Sequence, residues 1–487
     1  NLPSTYLKSF NDYINTASTS SQMPVPNPTS SSILPLALQF QSSPSSKFPE
    51  SQMTSAPSIP AKGPINGKDS NSIVKATNPK TKDITKQDSQ NKNLPTFLLS
   101  ISCGLTNLGN SCYMNCILQC LAATPQLTGF FFLKDSISYR QHINVNNILG
   151  TKGIITTNFV QLLTSMFAND GKSFTPLHFK KVVGSLSPNK EFALFDQQDC
   201  IEFLNFVLDS LHEDLNQMAI YTPQEKQRIN ELTDQQERAR ELLPIRLALT
   251  IEWERYLKLN FSIVVDYFQG QYLSRLECLE CGQTLTTYNP FLILSLPLSN
   301  KRTNISLDDC LKEFVKKEQL DEANKWHCPN CKKFTNLTKK INITRLPQVL
   351  IIHFKRFRVL PTGYIDKINT MITYPVDNVL DLTSYWPTTG TNLSERSEMT
   401  IERELEMLAS LPPRNQIPPF RYKLYGVVNH FGNLLTGHYT SYVFKQSDNK
   451  KKRGWCYFDD AKISYNCKEA AVMNTNAYCL FYQRVRE

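Results

Sequence analysis

Gly104-Leu105-Thr106-Asn107-Leu108-Gly109-Asn110-Ser111-Cys112-Tyr113-Met114-Asn115-Cys116-Ile117-Leu118-Gln119-Cys120 puts one cysteine, Cys112, where a glycine- and asparagine-rich turn gives way to a helix. Asn107, Gly109 and Asn110 tolerate unusual dihedral angles, and Met114, Ile117, Leu118 and Leu121 give the helix its apolar positions. Backbone N–H groups at a helix start favour negative charge, so they lower a thiol pKa and donate to an oxyanion. The other reading is a capped helix with a buried thiol, since free cysteine is among the most buried residue types. A partner base decides between the two.

That base stands far along the chain. Thr436-Gly437-His438-Tyr439-Thr440-Ser441-Tyr442-Val443-Phe444 sets a histidine after a glycine at the start of an alternating, strand-like run. Trp455-Cys456-Tyr457-Phe458-Asp459-Asp460 reads as a second strand ending in two acids. Adjacent strands would bring His438 and Asp459 together, an imidazole to take the thiol proton and a carboxylate to fix its tautomer. His430 and His353 have no such acid-bearing strand behind them and are read as structural.

Between these ends stand Cys278-Leu279-Glu280-Cys281 and Cys328-Pro329-Asn330-Cys331, matched pairs separated by a longer gap than in compact zinc modules. Four thiolates on two turns suit one tetrahedral, structural zinc and leave no open position for catalytic water. A thioredoxin-like redox motif wants one pair rather than two. His327 is surplus to the four ligands. Two knuckles at the tips of separate hairpins are expected.

The chain has 487 residues, a net charge of +10 and 13 cysteines, an odd number that argues against a disulfide scaffold and for a reducing cytosolic or nuclear compartment. No apolar run is long enough to span a bilayer, and no signal peptide is recognisable. Lysines and arginines lie in short clusters (Lys339-Lys340, Lys355-Arg356, Lys450 to Arg453) rather than in a stripe interleaved with aromatics, so nucleic acid is not an expected partner.

Residues 1–96 are dominated by Ser, Pro, Asn, Thr, Gln and Lys and read as a disordered leader or linker. Residues 97–487 read as globular. Helices are expected over Thr157 to Phe167, after Thr175-Pro176 (Thr175 capping, Pro176 in the first turn), and over Gln198 to Leu215. Trp253 to Leu259 resumes an amphipathic pattern. Phe261 to Val265, Phe291 to Leu296, Val349 to Phe354 and Tyr422 to Val428 carry strand signals. Insertions near 222–243, a solvated helical stretch, and 388–419, which does not look like core, interrupt this pattern.

Taken together, the cysteine box, Gln197-Gln198-Asp199-Cys200-Ile201-Glu202-Phe203, both cysteine pairs, the histidine box and Ala477-Tyr478-Cys479-Leu480-Phe481-Tyr482 resemble the ubiquitin-specific proteases, a family of cysteine deubiquitinases. The resemblance spans about Cys103 to Arg484. It implies an α+β fold with a papain-like core: a helical thumb about 103–260, zinc-stapled fingers about 261–345 and a strand-rich palm about 346–484. It also implies Cys112 as nucleophile, His438 as base and then acid, Asp459 as orienter and Asn107 as oxyanion donor, with Asp199 holding the extended tail of ubiquitin. Thr436 stands where many members have a second glycine, and Ser111 where threonine is common. Residues 253–270 look most like fungal enzymes that recycle ubiquitin at endosomes and the proteasome. Ubiquitin and ubiquitinated proteins are therefore the expected partners, with adaptors at endosomes or the proteasome and a cytoplasmic, endosome-associated location. A catalytically silent, zinc-bearing ubiquitin receptor and a protease for a ubiquitin-like modifier are the alternatives.

Overall fold

The helix that starts at Cys112 runs Cys112–Ala122 (α1), and all of its residues are buried. It is seen here in a computed structural model that describes residues 98–132, 139–218, 221–298, 303–320, 324–392, 399–411, 416–433, 436–446 and 453–485. The 1–96 leader, most of the Lys450 to Arg453 cluster and parts of the 388–419 insertion lie outside these residues. Packed with α1 are Ile154–Ala168 (α2) and Cys200–Leu215 (α3), whose Phe159, Leu163, Phe203, Leu204, Val207 and Leu211 are fully buried.

Strands dominate beyond residue 270. The hairpin Gly270–Cys278 (β1) and Thr284–Phe291 (β2) is followed by Ile293–Leu296 (β3), Leu337–Arg345 (β4) and Val349–Phe354 (β5). Arg421–Phe431 (β6), His438–Lys445 (β7), Gly454–Asp459 (β8), Lys462–Cys467 (β9) and Ala477–Val485 (β10) complete the main elements. The principal sheet has the order β9-β8-β7-β6-β10-β5-β3, antiparallel except for β5 with β3. Its alternate residues face two cores. Val349 and Ile351 pack toward the helices, Leu350 and Ile352 toward the other side. Burial on both faces explains why Val349 to Ile352 is a continuous apolar run rather than an alternating one. A second sheet, containing β2-β1-β4, carries the Cys278 and Cys281 pair at its end, and the Cys328 and Cys331 pair lies on a separate two-stranded ladder.

The fully buried Arg356 ties the palm together, donating to the carbonyls of Ala477 (2.7 Å), Ile368 (2.8 Å) and Thr370 (3.0 Å). Burial lowers its pKa only to about 10, so it stays charged at neutral pH.

Three sequence expectations give way. Phe261 to Val265 is not a strand: Ile263–Phe268 is helical, because Ser262 accepts the Val265 N–H at the helix start and Val264 and Val265 bury their side chains in tertiary contacts. Thr175 does not cap the helix Leu177–Leu186; Pro176 occupies the cap position and the Thr175 hydroxyl donates instead to Thr106 Oγ1 at 3.1 Å. The insertions, finally, are not merely solvated. Asp234–Glu241 (α4), Ile245–Leu257 (α5) and Ile401–Ser410 (α6) share a third apolar cluster in which Ala239 and Leu243 join Met407, Leu408 and Leu411. The buried Arg240 pairs with Glu252 at 3.0 Å and donates to the Thr286 carbonyl at 2.8 Å, fixing α4 to β2. Charged residues on α4 concealed this docking, because a paired arginine buries at much lower cost than its hydropathy suggests.

Candidate active site

Asn107 is the keystone of the turn before α1. Its Oδ1 accepts the N–H groups of Gly109 (3.0 Å) and Ser111 (3.1 Å), and its Nδ2 donates to Asp460 Oδ2 at 2.9 Å. The turn passes through two left-handed residues, Gly109 at φ 89° and Asn110 at φ 52°. Ser111, at the cap position, makes no side-chain cap; its Oγ accepts the Leu108 N–H at 2.8 Å. The N–H groups of Cys112 and Tyr113 at the head of α1 therefore meet no acceptor among the described residues. With the second Nδ2 hydrogen of Asn107 they form the donors from which an oxyanion site can be built.

Antiparallel pairing of β7 with β8 brings together the residues read from the histidine box. His438 Nε2 lies 2.7 Å from Asp459 Oδ1, which leaves the other ring nitrogen for Cys112. The hydrogen bond with Cys112 is the largest influence on His438. It raises the imidazole to about 9, with Asp459 adding to the rise and burial opposing it. Cys112 itself is only 2% exposed. The structure thus brings Cys112 next to His438, ties His438 to Asp459 by a hydrogen bond, and sets Asn107 on the turn that leads to Cys112.

Asp460 is the participant that sequence reading passed over. It accepts from Asn107 and, through Oδ1, from Asn115 at 2.8 Å, while its carbonyl accepts the Leu105 N–H at 2.9 Å. Its φ of 51° turns the chain after β8, so its carboxylate serves the cysteine loop while that of Asp459 serves the histidine. The doublet Asp459-Asp460 was the available signal. Asp199 is held at both oxygens: Oδ1 accepts the Ile201 N–H at 2.7 Å, capping α3, and Oδ2 accepts the Tyr478 hydroxyl at 2.7 Å. Burial raises its carboxyl above the usual range.

The two histidines read as structural are buried or nearly so. His353 meets Ser295 Oγ at 3.0 Å. His430, pushed down to about 4 by burial and by Lys367 and Arg356, lies neutral beneath the loop that leads to His438. A β-carbon on Gly437 would sit 2.2 Å from His430 Nε2, so the space over this imidazole admits only glycine.

At the far end of β1 the four cysteines converge, every sulfur within 4.8 Å of the others. Cys278 and Cys331 are 3.9 Å apart and Cys281 and Cys328 3.6 Å, against the roughly 3.8 Å edge of a tetrahedron with zinc–sulfur bonds of about 2.3 Å. Each pair is followed by a left-handed residue, Gly282 (φ 68°) and Lys332 (φ 54°), whose N–H returns to the first cysteine's carbonyl at 3.0 and 2.8 Å. This donor set is compatible with zinc.

Among the described residues no helix is long and apolar enough to cross a membrane. Residues 103–482 match the family model described as ubiquitin carboxyl-terminal hydrolase. The chain is 45% identical over 410 residues to ubiquitin carboxyl-terminal hydrolase 4 of Saccharomyces cerevisiae (strain ATCC 204508 / S288c), covering 83% of this chain and 41% of that relative. It is 38% identical to a probable ubiquitin carboxyl-terminal hydrolase 4 of Schizosaccharomyces pombe, covering 78% and 58% respectively. The SAGA Ubp8/Sgf11/Sus1/Sgf73 DUB module bound to ubiquitin aldehyde has the same fold, with a TM-score of 0.52, 22% identity and coverage of 80% of this chain and 71% of that one.

Proposed function

Because the chain belongs to the ubiquitin carboxyl-terminal hydrolase family, we propose that it is a cysteine deubiquitinase that hydrolyses isopeptide and peptide bonds after the terminal glycine of ubiquitin. One observation carries the reading: Cys112, at a helix start whose N–H groups meet no acceptor among the described residues, stands beside a His438 that is hydrogen-bonded to Asp459. The chain spans less than two thirds of its curated relatives, so the activity proposed is that of this domain.

In the proposed mechanism the Cys112 thiolate, paired with the His438 imidazolium, attacks the glycine carbonyl. The oxygen takes up negative charge near Asn107 Nδ2 and the N–H groups at the head of α1. His438 passes its proton to the leaving amine, and the acyl group stays on sulfur. The neutral imidazole then draws a proton from water as it attacks the thioester, and Cys112 leaves as thiolate. Asp459 holds the ring throughout. Asp199 uses only two of its carboxylate lone-pair sites internally, and the others are offered to the N–H groups of an extended ubiquitin tail. One structural zinc on Cys278, Cys281, Cys328 and Cys331 completes the proposal, as a staple between two hairpins with no part in the chemistry. Endosomal or proteasomal adaptors and a cytoplasmic location rest on the likeness of residues 253–270 to fungal ubiquitin-recycling enzymes.

Ubiquitin bearing a C-terminal electrophile is expected to label the wild-type chain at Cys112 and to leave Cys112→Ala unlabelled, read by intact mass. A folded wild type that takes no label overturns the proposal, and binding without turnover favours a receptor.

The pH dependence carries its own sign. His438 is raised, so its proton persists to about pH 9 and is lost above. The alkaline limb of kcat/KM for a fluorogenic ubiquitin substrate is expected near that value. Asp459→Asn removes one of the stabilising partners and is expected to move the limb downward; an unmoved limb would show that Asp459 does not tune the base.

A further inference from the structure

The left-handed turn before Cys112 is held from outside by a segment that the mechanism does not use. Asn110 is not glycine, yet it keeps φ at 52°, a left-handed conformation that residues with a side chain seldom adopt and that asparagine takes most readily when its amide is hydrogen-bonded nearby. Its amide is gripped at both ends: Nδ2 donates to the Phe195 carbonyl at 2.7 Å, and Oδ1 accepts from Gln197 Nε2 at 2.8 Å. The Phe195 ring closes over the neighbouring residue, with Cδ1 3.0 Å from where a β-carbon on Gly109 would lie.

The gripping segment is itself fixed. Gln198 Nε2 donates to the Glu191 carbonyl at 3.0 Å, and Asp199 is bound to α3 and Tyr478. Gln197 therefore connects a rigid helix start to the one side chain that keeps the turn left-handed. If Asn110 relaxed to negative φ, the peptide planes between Gly109 and Cys112 would rotate. Ser111 N–H would leave Asn107 Oδ1, and the donors at the head of α1 would no longer be aimed by the turn.

We propose that Gln197 is a positioning residue that acts through Asn110 to hold the oxyanion-binding turn in its working conformation. The inference rests on the reading of Cys112 as an acyl-transfer nucleophile. It differs from a substrate contact, which would show in KM, and from a purely structural role, which would not distinguish tetrahedral from linear chemistry at the sulfur.

The test uses the full chain and two reagents for Cys112. N-acetylglycinal adds its carbonyl carbon to the sulfur and leaves a tetrahedral oxygen at the oxyanion site. Iodoacetamide alkylates the sulfur by displacing iodide and creates no such oxygen. In Gln197→Ala and in Gln197→Glu, which cannot donate to Asn110, protection by the aldehyde is expected to weaken about tenfold. The alkylation rate itself should stay within twofold of wild type. With a fluorogenic ubiquitin substrate, kcat is expected to fall about tenfold and KM to stay within twofold. Asn110→Gly, which loses the same bonds, should add little in the Gln197→Ala background.

Unchanged aldehyde protection, a rise in KM alone, or fully additive losses overturn the proposal. A wild type that binds the aldehyde in a Gln197-dependent manner yet does not turn over ubiquitin refutes the functional reading and leaves the positioning role standing.

Discussion

Replacing His438 with alanine is expected to lower ubiquitin turnover about 10³- to 10⁴-fold, the largest loss of any substitution outside the nucleophile itself. Two contributions vanish together. The imidazole, raised to about 9, is the cation beside Cys112, and in the proposed mechanism it is also the proton donor to the leaving amine. Neighbouring groups supply neither: His430 is neutral beneath Gly437, and the hydroxyl-bonded His353 sits on β5. Asn107→Ala should cost less, about 10²- to 10³-fold, because the N–H groups at the head of α1 still serve the oxyanion. Stopped assays with a fluorogenic ubiquitin substrate resolve this range. A loss below tenfold for His438→Ala would remove it from the role of base.

The second large effect is structural. Cys278→Ser is expected to take bound zinc from one ion per chain to none and to lower the melting temperature sharply. Metal held by four thiolates contributes on the order of 10 kcal/mol or more in small zinc modules. The hairpin bearing the second pair has little else: Trp326–Cys328 and Lys333–Thr335 form an isolated two-stranded ladder, a size that is not stable alone in water. Cys278 is also the most deeply embedded of its pair, with Thr335 Oγ1 3.2 Å from its sulfur. Mass spectrometry of the metal content, together with limited proteolysis between residues 317 and 336, checks this. Unchanged metal with unchanged proteolysis would count against a zinc staple.

Much of this architecture could be read from residue patterns, and the failures have physical causes. The turn at Asn107 to Ser111, the strands around His438 and Asp459, and the paired knuckles carried strong local signals, because glycine, asparagine and cysteine spacing constrain backbone geometry directly. Phe261 to Val265 misled because β-branched residues favour strands on average, whereas here the Ser262 cap and the cores on either side outweigh that preference. The hydrogen bond that Tyr478, on the closing strand, donates to Asp199 is a contact between distant segments that no local pattern reveals. Asp459 and Asp460 are chemically identical neighbours, and only the reversal of the chain after β8 sends one to the histidine and the other to Asn107. The interlocked insertions share a core although they are remote in sequence, a contact that amphipathic spacing does not encode.

The bond from Asn107 to Asp460 joins residues 353 positions apart. During synthesis the thiol-bearing turn leaves the ribosome long before the residue that braces it, and β7 and β8 emerge late as well. A nascent or truncated chain ending before His438 thus carries the cysteine with neither its base nor its brace, and one ending at Asp459 has the base but not the brace. In the proposed mechanism the nucleophile, its base and its brace therefore come together only after nearly the whole of the domain has been synthesised.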